Sequence, residues 1–257
     1  HREEAKAKTR AINTPTHYTI QAYQGGIKKG ELKGTFNGST FTPDAGQGES
    51  IQLPHGTYDF VCFNDKVTAN GTQFIVNRAN AANARYEVKR GVVINQDPKQ
   101  YVAFSLKHAG SLVAFYLRFA NCEVHLKVTS IWRDMGNPWL SGYAAESVNP
   151  TDDYQCTLES VPSSIPEKMN YDFVANTYSY PIMGNYSSSS KCDFGTLHYS
   201  GPSNEWKGID GLTAGYFLPT TDCSKISLKF TSGSWYDRDL TGKTITIPTQ
   251  KLVEANR

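Results

Sequence analysis

Ile51-Gln52-Leu53-Pro54-His55-Gly56-Thr57-Tyr58-Asp59-Phe60-Val61-Cys62-Phe63 is the stretch that decides the fold. A short apolar run meets a Pro/Gly turn, and a second run leaves it rich in aromatic residues. Aromatic side chains suit a pleated, half-buried surface, and Pro and Gly punctuate such strands. Cys62 sits within the alternating pattern and is expected to be a small buried residue. The reading is strand, turn, strand.

The same signal spreads outward in both directions. Tyr18–Tyr23 alternates with period two. Gly34-Thr35-Phe36 and Ser39-Thr40-Phe41 flank Asn37-Gly38, which predicts a tight hairpin turning on that pair. Phe74–Val76 and Tyr86–Ile94 continue the pattern, with a helical turn or two expected over Ala79–Ala84. Tyr101–Leu106 and Leu112–Leu117 are apolar on both faces, as central strands are. Glu123–Thr129, Tyr154–Leu158, Leu212–Leu218, Ile226–Phe230 and Thr244–Ile247 supply the later strands, and Met183–Lys191, with its run of serines, reads as a loop. No sustained 3.6-residue period occurs. Short strands with turn signals between them predict an all-β chain of sandwiches. A polar, Pro-containing break at Asn95–Lys99 divides it into a domain over 1–100 and another over 101–257.

Composition narrows the function. With 26 basic against 24 acidic residues and no basic run, the chain lacks the footprint of a nucleic-acid or anionic-membrane binder. The apolar stretch beginning at Leu112 is interrupted by Arg118 and is too short to span a bilayer. The chain opens on His1-Arg2-Glu3-Glu4 without an apolar leader, which predicts a mature or trimmed form. Its five cysteines are odd in number and widely spaced, so no dense disulfide framework is expected.

Catalytic signatures are missing: there is no G-x-S-x-G elbow, P-loop or H-E-x-x-H. Cys122 and His125 are an odd number of residues apart on a strand and would face opposite ways, a poor metal pair. Asp152-Asp153 lacks a partner acid for glycoside chemistry. His108, at a strand end, reads as structural. The expectation is a non-enzyme with no cofactor and no metal. Trp132 and Trp139 bracket the loop Trp132-Arg133-Asp134-Met135-Gly136-Asn137-Pro138-Trp139. Exposed indoles there could stack on a sugar face or a partner protein, making them ligand-binding candidates; the alternative is ordinary packing. Asn37-Gly38-Ser39, Asn70-Gly71-Thr72 and Asn185-Tyr186-Ser187 match the glycosylation acceptor pattern but fit turns equally well.

Taken in order, several segments resemble the fimbrillin family of Bacteroides-type surface lipoproteins. They are Leu53-Pro54-x-Gly56-x-Tyr58-x-Phe60, then Phe104-Ser105-Leu106-Lys107-His108-Ala109 followed by Leu112-Val113-Ala114-Phe115. Ala214–Pro219, Ile226–Phe230 and Ile245-Thr246-Ile247-Pro248 through Leu252 to Arg257 complete the series. Thr9-Arg10-Ala11 resembles the family's basic processing point.

The resemblance implies two tandem transthyretin-like/Ig-like β-sandwich domains, export by the lipoprotein route with an acylated Cys upstream, and residence at the outer-membrane surface or in a fimbrium. It implies assembly by strand exchange: a protease cuts after a basic residue, here Arg10, and a strand from the next subunit fills the groove left behind. Ile245, Ile247 and Leu252 are the strand-exchange candidates. The partners implied are other fimbrial subunits, and no nucleic acid. The alternative function is a non-polymerising surface or tip adhesin that holds a glycan or host protein through loops of the second domain.

Overall fold

The computed structural model of the chain describes residues 17–118, 153–160, 165–182, 192–198, 210–232, 234–235, 238–248 and 250–255. Among them the protein is all-β, built from several antiparallel sheets with 3-10 turns at Arg78–Asn80 and Cys223–Lys225 and no α-helix. The chain divides into two compact units. One holds the described residues up to Ser111, then Pro166–Pro181, and the stretch from Glu254; the other holds those of Leu112–Ile165 and Ile182–Val253.

The first eight strands are β1 (His17–Gln24), β2 (Ile27–Asn37), β3 (Thr40–Pro43), β4 (Gly56–Asn64), β5 (Thr68–Asn70), β6 (Gln73–Asn77), β7 (Arg85–Ile94) and β8 (Lys107–His108). Next come β9 (Ser111–Arg118) and β10 (Asp153–Ser160), then the hairpin β11 (Lys168–Asp172) and β12 (Thr177–Ser179), which belongs to the first unit. The first unit contains a six-stranded sheet in the order β3-β2-β1-β4-β7-β8 and a four-stranded sheet in the order β12-β11-β6-β5. Sequence reading made the two domains continuous; the pairing of β11 with β6, register Met169↔Val76 and Tyr171↔Phe74, brings a hairpin from the later half into the first unit. The cause is visible in the alternation. Met169, Tyr171 and Phe173 are buried on one side of the hairpin, and Phe74 and Val76 are buried beside them.

Strand parity sets the layers. Along β4, Val61 and Phe63 point to one face of the six-stranded sheet and Tyr58, Phe60 and Cys62 to the other, and all five are buried. On the first face Phe74 packs against Phe63 with ring centroids 4.9 Å apart, against Tyr86 at 5.6 Å and against Phe173 at 5.0 Å, while Tyr23 meets Phe173 edge-on at 4.9 Å. Edge-to-face and tilted ring pairs add to the area they bury.

Three local expectations are corrected. The hairpin after β2 turns on Gly38-Ser39, not Asn37-Gly38: Asn37 pairs with Thr40 and Phe36 with Phe41. Only Gly38 of the two loop residues has positive φ, +60°, which is the demand of a type II′ turn. The one-residue shift sets Phe36 and Phe41 opposite each other at 4.9 Å. Asn70-Gly71-Thr72-Gln73 repeats the arrangement between β5 and β6. Tyr101–Leu106, expected to be a central strand, is extended but pairs with no strand among the described residues, and Ile51–Leu53 is the same.

The second unit carries a four-stranded sheet of β10, β13 (Cys192–His198), β15 (Ile226–Ser232) and β18 (Thr244–Thr246) in the order β13-β10-β15-β18. β14 (Asp210–Phe217) pairs with β9, and β16 (Ser234–Trp235) with β17 (Arg238–Asp239). In β15 the pattern is clean: Ile226, Leu228 and Phe230 are buried, while Ser227 and Lys229 between them are half-buried. Phe217, Leu218 and Val253 are buried in the same unit. Glu123–Thr129 and Met183–Lys191 lie outside the described residues.

Candidate functional site

The face of the six-stranded sheet turned away from the four-stranded one is the candidate site. Its core is Ala22, Tyr58 and Phe60, with Ile20, Ile51, Leu53, Val92, Ile94, Val102 and Phe104 packed against them. Two extended segments form the cover, Ile51–Leu53 and Tyr101–Leu106. Val102, Phe104 and Leu106 are half-buried while Tyr101, Ala103 and Ser105 are exposed, an in–out alternation without a ladder. Tyr101 is 87% exposed.

What fixes the cover is side-chain chemistry. The Ser105 N–H donates to the Glu87 carboxylate, and the Tyr58 hydroxyl donates to the Pro54 carbonyl at 2.9 Å. Gly30 admits Ile51: a Cβ there would lie 2.2 Å from Ile51 Cγ2. The Gln100 amide reaches β7, its Nε2 donating to the Val93 carbonyl at 2.8 Å and its Oε1 accepting from the Asn95 N–H at 3.1 Å. Cys62, fully buried beside this cluster, is a free thiol whose pKa burial and the nearby Glu87 push up to about 12. A thiol so protonated is an inert packing group.

The other face is built differently. The Arg90 guanidinium donates to the Phe173 carbonyl, to the Tyr171 hydroxyl at 3.3 Å and to Asn176 Oδ1 at 3.5 Å, tying the β11–β12 loop to β7. Gln21, buried, donates to Glu31 at 2.7 Å and accepts from the Tyr23 hydroxyl at 2.8 Å. Burial raises the Glu31 pKa, but donors from Gln21, Lys28 and Lys33 outweigh it and hold the carboxyl below its ordinary value. Tyr178 stacks on Tyr171 at 4.1 Å with rings 11° apart, and burial with the neighbouring tyrosines raises the Tyr86 pKa. His108 lies on β8, half-buried, its pKa lowered by burial and by Arg85.

The residues singled out in the sequence fall as follows. Ile245 lies on β18, opposite Leu228, and β18 is an edge of its sheet. The Ile247 N–H donates to the Ile226 carbonyl at 3.3 Å. Leu252 bridges to Asp222 and is 52% exposed, and it is the next residue, Val253, that is buried at 7%. Arg10, Trp132 and Trp139 lie outside the described residues, as do Cys122 and His125. Among the described residues no group of acidic, His or Cys side chains could hold a metal ion, and no helix is long and apolar enough to cross a membrane. No protein-family model matches the chain, and no curated protein matches it.

Proposed function

We propose that this chain is a fimbrial subunit of a cell surface, two transthyretin-like β-sandwiches that assemble by protease-triggered strand exchange and mediate adhesion. The observation that carries the reading is the cover over Tyr58 and Phe60. Tyr101–Leu106 and Ile51–Leu53 are extended and lie on an apolar face, and among the described residues neither has a backbone ladder partner. An added strand would satisfy their N–H and C=O groups and set alternate side chains against the cluster, which is the physics of β-augmentation. Cleavage after Arg10 would release the leading segment, and a strand bearing Ile245, Ile247 or Leu252 from another subunit would be the donor. Other subunits are then the partners, the outer-membrane surface is the location, and an acylated Cys upstream is the anchor.

The test is to treat the full chain with a protease specific for basic residues and run the products in SDS without boiling. The expected result is a ladder of SDS-resistant multimers that Arg10→Ala abolishes. Monomer alone after cleavage at Arg10 overturns the polymerising role and favours the adhesin, whose Trp132→Ala and Trp139→Ala variants would then be compared on a glycan array.

A further inference from the structure

Open strand edges are templates for pairing with other chains, and proteins close them by short strands, edge lysines, bulges or covering groups. The first unit uses all of these. In its four-stranded sheet both edge strands, β5 and β12, have three residues. Among the described residues of the six-stranded sheet, β3 pairs with β2 from Gly34 to Asn37 and β8 with β7 at Arg85 and Tyr86. The rest of both edges needs another device. On β2 the exposed Lys28 and Lys29 follow the turn. On β7 a bulge sets Arg90 and Gly91 opposite Asp59, whose carboxylate accepts from the Gly91 N–H at 2.8 Å.

On each edge a glutamine adds to these devices. On β2, just past the end of β3, the Lys33 carbonyl accepts from the Asp44 N–H at 2.9 Å and from Gln47 Nε2 at 3.2 Å, and Gln47 Oε1 accepts from the Lys33 N–H at 2.9 Å. The Asp44 backbone and the Gln47 side chain together make the two bonds of a hydrogen-bonded antiparallel residue pair, Gln47 supplying the acceptor that Asp44 does not. On β7, Gln100 takes the Val93 carbonyl and the Asn95 N–H, the pair that one residue of a parallel neighbour would take. A primary amide has one acceptor and a donor at peptide-like spacing, so it can replace a peptide group but cannot pass the ladder on. Val93 is 52% exposed beside Gln100, so this edge would otherwise offer both free backbone groups and apolar side chains.

We propose that Gln47 and Gln100 are edge stops: Gln100 occupies one edge of the six-stranded sheet in place of a strand, Gln47 completes with Asp44 the end of the cover on the other, and both bar a second copy of this chain from pairing there. The role is independent of the strand-exchange function and would hold in a monomeric adhesin. It also leaves the cover over Tyr58, not the sheet edges, as the place for an incoming strand.

The experiment compares the full chain with Gln100→Ala, Gln100→Glu and the double variant Gln47→Ala/Gln100→Ala, by sedimentation velocity over a concentration series and by amide hydrogen exchange. Wild type is expected to sediment as one species with slow exchange at the Asn95 and Lys33 N–H groups. Gln100→Ala and the double variant are expected to lose that protection and to form a faster species whose share grows with concentration. Gln100→Glu gives up the donated bond but leaves a charge on the edge, so it is expected not to associate. Three results would each overturn the proposal. One is a double variant that keeps its near-ultraviolet circular dichroism and stays one species. Another is Gln100→Glu associating as much as Gln100→Ala, which marks loss of stability rather than of a stop. The last is exchange in wild type already as fast as in the alanine variants.

Discussion

The two faces of the six-stranded sheet are made by the same strands and covered in opposite ways. One is covered by a second sheet, with Phe74 at the centre of an aromatic cluster and a backbone ladder beneath it. The other is covered by segments that make no backbone ladder among the described residues and are tied down by bonds to or from side chains. Apolar burial is present on both, so the difference lies in whether the cover's own backbone is satisfied by other strands. A cover with a ladder must break many bonds together to leave, whereas one without can open locally. The cover over Tyr58 is therefore expected to open more readily than the second sheet.

The largest expected effect tests the laddered face. Phe74→Ala removes a fully buried ring that touches four others and should cost about 3–5 kcal/mol of global stability by urea titration. A loss as small as that of an exposed residue would break the comparison. Gly30→Ala probes the other face by steric means. The new methyl collides with Ile51, so about 1–3 kcal/mol should be lost, and Gly30→Ala/Ile51→Ala should cost less than the sum of the single changes. Additivity would mean that Ile51 does not sit where Gly30 admits it.

Phe104→Ala should cost less again, about 1–2 kcal/mol for a half-buried ring. Its distinguishing effect is local: faster amide exchange over Tyr101–Leu106 with β1 and β4 still protected. Uniform loss of protection would show that the cover folds with the rest. The smallest effect is that of Glu31. Its folded carboxyl lies below the ordinary 4.5, so the stabilisation is present above that value and lost as pH falls through the lower folded one. Melting temperature should drop on acidification, and Glu31→Gln should remove part of that slope. Asp222 and Asp239, held low by hydroxyl and N–H donors from Ser224 and Thr241, account for a further part. A variant with an unchanged acid slope would clear Glu31.

What the sequence disclosed follows from locality. β6 and β15 alternate with one strongly apolar face, β1 and β4 bury residues on both, and each was legible by itself. The β11–β12 hairpin was not, although Met169, Tyr171 and Phe173 alternate, because its partner β6 lies far away in the chain and pairing at that range leaves no local mark. Tyr101–Leu106 shows the converse. Apolarity marks a segment for burial but cannot say whether its backbone will join a ladder. The hairpin turn shifted by one residue because register is set by the Tyr18, Phe36 and Phe41 rings as well as by Asn-Gly. Of the site, Tyr58 and Phe60 could be read. Gln47 and Gln100 could not: an amide bonded to a distant backbone has no signature in composition or spacing. Near the C-terminus Val253 is buried while Leu252 before it is exposed, a difference that composition does not show.

The pairing of Lys168 with Asn77 has a further consequence, in time. A ribosome adding about 5–20 residues per second needs roughly 5–18 seconds to travel between them, since 168 − 77 is 91. For most of that interval the Phe63, Phe74 and Tyr86 residues have been synthesised but the strand that pairs with β6 has not. The first unit is thus completed late, when its sixteen-residue insertion, Pro166–Pro181, arrives.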